Sequence, residues 1–150
     1  MKYKRRLYQM TKHLVNIIFI GEIVVTLAMP VTVPWLNKNY SHLQGVDIPM
    51  LMIYMLIGLI SIFVTFQLRK ILRTVADGDC FTDANVIRLK KISLGFFLLA
   101  LMLLLRSILY PTMAIFIELF LFLLAWIFCL VVASVFEEAV RYKEENDLTI

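Results

Sequence analysis

Charge is what this chain has least of. Asp, Glu, Lys and Arg make up 17% of its 150 residues, whereas 61% are hydrophobic. A soluble globule carries about 25% charged and about 45–50% apolar residues, so the deficit excludes that class and points to an integral membrane protein. The formal charge of +4 is then no nucleic-acid signal. Its Lys and Arg stand in short blocks beside apolar runs, where they set topology and meet anionic lipid. Cysteine and histidine are also scarce, at two each. Cys80 and Cys129 fall at different expected depths, so no disulfide is expected between them. His13 and His42 fall on opposite sides of the membrane, and no metal or cofactor site is expected. There is no phosphate-cradling glycine loop and no nucleophile–base pair at suggestive spacing, so the sequence does not read as an enzyme. Internal repeats and low-complexity segments are missing too.

What is present is four apolar runs, each near the roughly 20 residues that a membrane crossing needs. They cover about residues 14–36, 49–68, 92–110 and 112–136. The length favours a single domain. The first run follows a basic segment carrying Lys2, Lys4, Arg5, Arg6 and Lys12. It is too long for a signal-peptide core and no small-residue cleavage site ends it, so an uncleaved span is expected. Pro30 and Pro34 near its far end predict a bend or an unwound stretch. In the second run Ser61 and Thr65 stand four apart, offering a small face for close helix packing. Tyr110-Pro111-Thr112 leaves spans three and four as a tight hairpin. Lys and Arg gather at the amino terminus and in residues 69–91, whereas the loop after the first span holds one Lys. By the positive-inside rule both termini and the 69–91 segment are cytoplasmic. The expected fold is an all-α membrane protein whose second and fourth helices extend past the membrane.

Three ionisable residues fall at membrane depth: Glu22, Arg106 and Glu118. Such groups are costly and mark a functional hypothesis. Arg106 and Glu118 are each about 9 Å from the hairpin turn, so they can meet and neutralise one another, or line a polar cavity. Glu22 lies roughly 13 Å inside, near the midplane, with no cation predicted at its depth. Arg106, about one turn further out, is the candidate partner. Glu22 reads as a polar staple between helices, as a ligand or ion contact, or as a contact with a partner chain.

The segment 69–91, RKILRTVADGDCFTDANVIRLKK, is the one interior stretch rich in both charge and turn signals. Gly78 between Asp77 and Asp79 suits a helix C-cap, because glycine accepts a left-handed backbone. Thr82 is a good N-cap and Asp83 fits the first turn, where the helix dipole favours negative charge. Phe81 and Val86 occupy the two positions of a hydrophobic staple. The segment therefore reads as helix, sharp corner, helix. Beyond the last span, Glu137, Arg141 and Glu145 stand four apart and predict a charge ladder on a helical tail. Residues 69–77 carry three bases against one acid, a net of +2, and residues 137–147 carry two bases against five acids, a net of −3. These two extensions can pair with each other or offer a charged platform to a partner.

The run FTDANVIRLKKIS after ADGDC, with the carboxyl-terminal ENDLTI, resembles the bacterial membrane proteins catalogued as domain of unknown function 2975. The matching positions are Phe81, Thr82, Asn85, Leu89, Glu145, Asp147 and Leu148, and the resemblance extends over nearly the whole chain, with four spans in the same order. It implies no activity. Members are often encoded beside a small helix-turn-helix regulator, which by association implies a membrane protein that holds such a partner. The residues expected to meet it are Phe81, Thr82, Asp83, Asn85 and Arg88 in the corner, and Glu138, Glu145 and Asp147 in the tail. The expected partners are membrane lipids and that regulator, without direct nucleic-acid binding; a homo-oligomer is left open. The rival expectation is an immunity factor or ligand-handling protein of the inner membrane that uses Glu22, Arg106 and Glu118.

Overall fold

A computed structural model describes residues 2–39, 48–76, 78, 80–109 and 111–147, with backbone only for residues 2–8, 37 and 147. Four helices account for nearly all of them: α1 Lys2–Asn39, α2 Ile48–Ala76, α3 Asp83–Leu109 and α4 Met113–Asp147. Among the described residues there is no strand. Each helix contains a stretch long and apolar enough to cross a membrane: Gln9–Leu36, Ile48–Ala76, Asp83–Leu109 and Met113–Asn146. The all-α membrane fold read from the hydropathy is the fold observed.

Two helices outrun their apolar spans as expected. With 35 residues, α4 is about 52 Å long, well beyond a hydrocarbon core of about 30 Å. Similarly, α2 continues through the basic residues Arg69, Lys70 and Arg73 to Ala76.

Of the two outcomes expected at the prolines, a bend or an unwound stretch, the unwinding does not occur. Helix α1 runs unbroken through Pro30 and Pro34. Each proline removes one donor, so the carbonyls of Thr26 and Pro30 lose their helical partners. Side chains support the backbone on either side. The Thr32 hydroxyl donates to the Ala28 carbonyl at 3.0 Å, and the Asn39 amide donates to the Trp35 carbonyl at 2.8 Å.

The bundle is assembled in chain order: α1 packs on α2, α2 on α3, and α3 on α4. Among the described residues α1 does not approach α4. Helices α2 and α3 thus each pack on two neighbours, and the seams are built for close approach. Gly95 lies against the Val64 side chain of α2, where even a Cβ would collide. Ser93, buried on α3, donates to the Trp126 carbonyl of α4 at 3.4 Å. At the α1–α2 seam, a Cβ on Gly58 would come within 2.5 Å of the Thr26 hydroxyl. Small residues at each of these contacts fit helix association in lipid, where packing replaces the hydrophobic effect as the driving force. The core at the corner end is Val64, Ile71 and Ile92, with Val75, Leu89, Phe96 and Cys129 packed on it. Large apolar side chains elsewhere on α1 and α4 are exposed, as lipid-facing residues are.

Candidate functional site

The corner between α2 and α3 is held by a buried amide. Gly78 takes the left-handed backbone, with φ 88°, and donates its N–H to the Val75 carbonyl at 3.2 Å. Its neighbours Asp77 and Asp79 lie outside the described residues. Thr82 caps α3: its carbonyl accepts the N–H groups of Asn85 at 2.9 Å and Val86 at 3.2 Å. Its hydroxyl also accepts from the Asn85 N–H at 3.3 Å. The Asn85 side chain is fully buried. Its Nδ2 donates to the Cys80 carbonyl, and its Oδ1 accepts from Arg88 Nη1, both at 2.9 Å. The Thr74 hydroxyl lies 2.9 Å from the same oxygen and 2.8 Å from the Ile71 carbonyl. One side chain therefore ties the end of α2, the turn and the first turns of α3.

This corrects the expectation that Asn85 meets a partner. Its polar atoms are buried and engaged within the chain, because the turn needs them more than any outside surface does. Arg88 is half-buried and tied to the same amide. Asp83 is exposed in the first turn of α3. Phe81 keeps 44% of its surface, and its ring stands 5.1 Å from that of Phe136 on α4.

On the α4 extension Glu138 and Glu145 are exposed. Arg141 pairs with Glu138 at 3.6 Å and with Glu145 at 3.9 Å. The charge ladder thus forms at its carboxyl-terminal rung only. Glu137 turns instead to Lys90 of α3 at 2.9 Å. Both partners are at least half exposed, so this bridge is worth at most about 1 kcal/mol. The tail's cross-helix bridge goes to α3 rather than to the basic end of α2, since α4 packs on α3. The Asp147 side chain lies outside the described residues. Between the corner and the tail opens a cavity of about 250 Å³, lined by Phe81, Thr82, Asp83, Val140, Lys143 and Glu144.

The intramembrane charges separate into two places. Arg106 and Glu118 meet across the α3–α4 hairpin at 3.7 Å, as their equal distance from the turn predicts. The guanidinium also stands 5.0 Å over the Tyr54 ring of α2. Arg106 does not reach Glu22, which corrects that pairing. Glu22 Oε1 accepts instead from the Ser61 hydroxyl at 2.9 Å and the Thr65 hydroxyl at 3.0 Å. Its other oxygen is buried without a hydrogen-bond partner. Ser61 and Thr65 were legible as a small face on α2, but not as donors. Their role depends on the antiparallel register of α1 on α2, for which the sequence carries no signal. Among the described residues no group of His, Cys, Asp and Glu is placed to hold a metal.

The family described as "Protein of unknown function (DUF2975)" matches residues 33–150. The chain belongs to this family. The match takes in the corner, the tail, the Arg106–Glu118 pair and the two hydroxyls that meet Glu22. Most of the first span, Glu22 included, lies ahead of it, so the resemblance read over nearly the whole chain is matched from residue 33 onward. No curated protein and no solved structure matches this DUF2975 chain.

The Glu22 seam makes a stability prediction that separates its two readings. Ser61 and Thr65 can return their hydroxyls to the helix's own i−4 carbonyls once the carboxyl is gone. A buried carboxyl with one oxygen unmet contributes little to folding. Glu22→Leu is therefore expected to keep or raise stability, by up to about 1 kcal/mol, in detergent unfolding. A loss above about 2 kcal/mol would make Glu22 a structural staple.

Proposed function

We propose that this integral membrane protein docks and restrains a small helix-turn-helix transcription regulator on a platform made by the corner and the α4 extension. The distribution of Lys and Arg supports placing both termini and the corner in the cytoplasm of a bacterial inner membrane. The observation that carries the reading is the open groove between a rigid corner and an exposed, largely acidic helix. Regulators that bind DNA carry basic surfaces, which an acidic platform complements. The Asn85 network keeps the groove's corner wall in place before a partner arrives, which lowers the ordering cost of binding. Phe81 offers a half-exposed aromatic anchor at the rim, the kind of side chain that concentrates binding energy. The proposed activity is binding, with no catalytic step and no direct contact to nucleic acid.

The test is co-purification of the full-length protein with the helix-turn-helix regulator encoded beside it. Reversing Glu138 and Glu144 to Lys together is expected to cut capture about tenfold and to change target-gene expression. Unchanged capture and unchanged expression would remove the proposal.

A second reading is favoured by the unpartnered oxygen of Glu22. A carboxylate with one free, buried oxygen at membrane depth is a contact point for a cation or for a donor group of a ligand. Under that reading the chain is an immunity factor or a small ligand-handling protein. Glu22→Gln then abolishes resistance or uptake while regulator capture is untouched.

A further inference from the structure

We propose that Lys12, Arg69 and Arg73 form a binding site for the phosphate of an anionic phospholipid headgroup, in the groove where α1 crosses the end of α2. The three cations line one small cavity together with Asn16, Val15 and Leu72. No acidic side chain lines it. Among the described residues no carboxylate pairs with any of the three. Glu22, further along the same seam, is engaged by Ser61 and Thr65. Three like charges sharing a groove repel one another, and an anion from outside relieves that repulsion.

The lining suits an oxyanion. The Arg69 guanidinium is held 4.3 Å over the Phe19 ring, which stacks on Phe66 with centroids 6.3 Å apart. Lys70 stands 4.3 Å over that second ring. The aromatic pair fixes the guanidinium without using its hydrogen-bonding edge. Arg69 Nε is buried and has no acceptor. A buried donor left unmet is costly, and the residue that carries it lines the cavity. The cavity's volume is about 10 Å³, room for one water-sized atom, which suits a single phosphate oxygen. Lys12 and Arg73, both exposed, complete its cationic lining. Arginine presents a planar fork that matches phosphate.

The depth points to a lipid as the source. Counted from Ile48, where α2 begins, Arg69 lies about 32 Å along the helix axis. That is the far boundary of a hydrocarbon core about 30 Å thick, the level of phospholipid phosphates. Beside the groove α1 exposes Leu14, Ile17 and Ile20, an apolar track along which an acyl chain can lie. Basic pockets between membrane helices at the cytoplasmic surface take anionic headgroups in this way. Such a lipid would clamp α1 to α2, and α2 is the one described helix that α1 touches.

The test is native mass spectrometry of the full-length protein in detergent, titrated separately with phosphatidylglycerol, phosphatidylcholine and inorganic phosphate. Phosphatidylglycerol is expected to bind in preference to phosphatidylcholine. Each surface cation is worth roughly a factor of five, so Lys12→Gln with Arg73→Gln should weaken phosphatidylglycerol about twenty-five-fold. Both residues are exposed, so this pair of changes leaves the fold intact. Arg69→Lys keeps the charge and removes the Nε donor, and should also lose the preference. Equal binding of the two lipids, or an unchanged affinity in the double variant, overturns the site. If inorganic phosphate displaces phosphatidylglycerol at matched concentration, the site serves a free phosphate and the lipid assignment fails.

Discussion

Asn85→Ala is expected to destabilise the protein by about 3 kcal/mol. The reason is the asymmetry between making a hydrogen bond and leaving its partner stranded. Asn85 is fully buried, and its truncation leaves the Cys80 carbonyl without a donor and the Arg88 guanidinium without its acceptor. The orientation of the amide follows from its partners: Cys80 presents only an acceptor and Arg88 only donors. Asn85→Asp is therefore no rescue. It keeps the acceptor for Arg88 but sets an oxygen against the Cys80 carbonyl, where 2.9 Å now separates a donor and an acceptor. Both variants should unfold at lower denaturant in mixed micelles, with faster hydrogen exchange across residues 80–86. A loss below about 1 kcal/mol for the alanine variant would show that water or a relaxed turn takes over the amide's bonds. If the proposed platform is real, regulator capture should fall with the corner's rigidity, although Asn85 itself touches no partner.

Gly95→Ala should destabilise the α2–α3 contact by about 1–3 kcal/mol, although alanine is the better helix former. The added methyl runs into Val64 Cγ2. Val64 is β-branched and its χ1 is nearly fixed in a helix, so it cannot swing aside cheaply. The remedy can be read from the same geometry. With Val64→Ala the offending atom is gone, and the Val64 Cβ stands 3.7 Å from the new methyl, an ordinary contact. The double variant should be more stable than the sum of the two single losses by about 1–3 kcal/mol. Additive losses would mean that the helices slide to absorb the methyl, and that the close approach at Gly95 is not fixed.

The two places that matter most differ in how far they can be read without coordinates. Gly78 and Thr82 were recognisable as a C-cap and an N-cap because capping is local: the donors and acceptors lie within a few residues of one another. The Arg106–Glu118 pair was recognisable for a related reason, since a tight hairpin fixes the depth of both partners from one turn. The Glu22 site was not. Its partners Ser61 and Thr65 are 39 and 43 residues away on a different helix, and any of several rotations of α1 on α2 fits the same hydropathy. The prolines suggested a bend or an unwound stretch, and the unwinding does not occur. Pro30 and Pro34 each remove a backbone bond, yet α1 stays helical through both. Asn85 shows a third case. Its position beside the cap was apparent, but whether it faced a partner or the chain's own turn depended on how α2 and α3 close over it.

Composition and the spacing of apolar runs determined by themselves that this DUF2975-family chain is a four-helix membrane protein with a capped corner and two overhanging helices. Those features follow from the thickness of a bilayer and from bonds between near neighbours in the chain. The tertiary structure decided which polar groups meet. It set α2 and α3 in the middle of a chain-ordered bundle, gave Glu22 two hydroxyl donors, turned Glu137 toward Lys90, and left Arg69 with an unmet donor between α1 and α2. The physical reason is that lipid rewards every apolar face almost equally. Helix rotation and partner choice then rest on close contacts such as Gly58 with Thr26 and Gly95 with Val64, which no periodicity in the sequence displays.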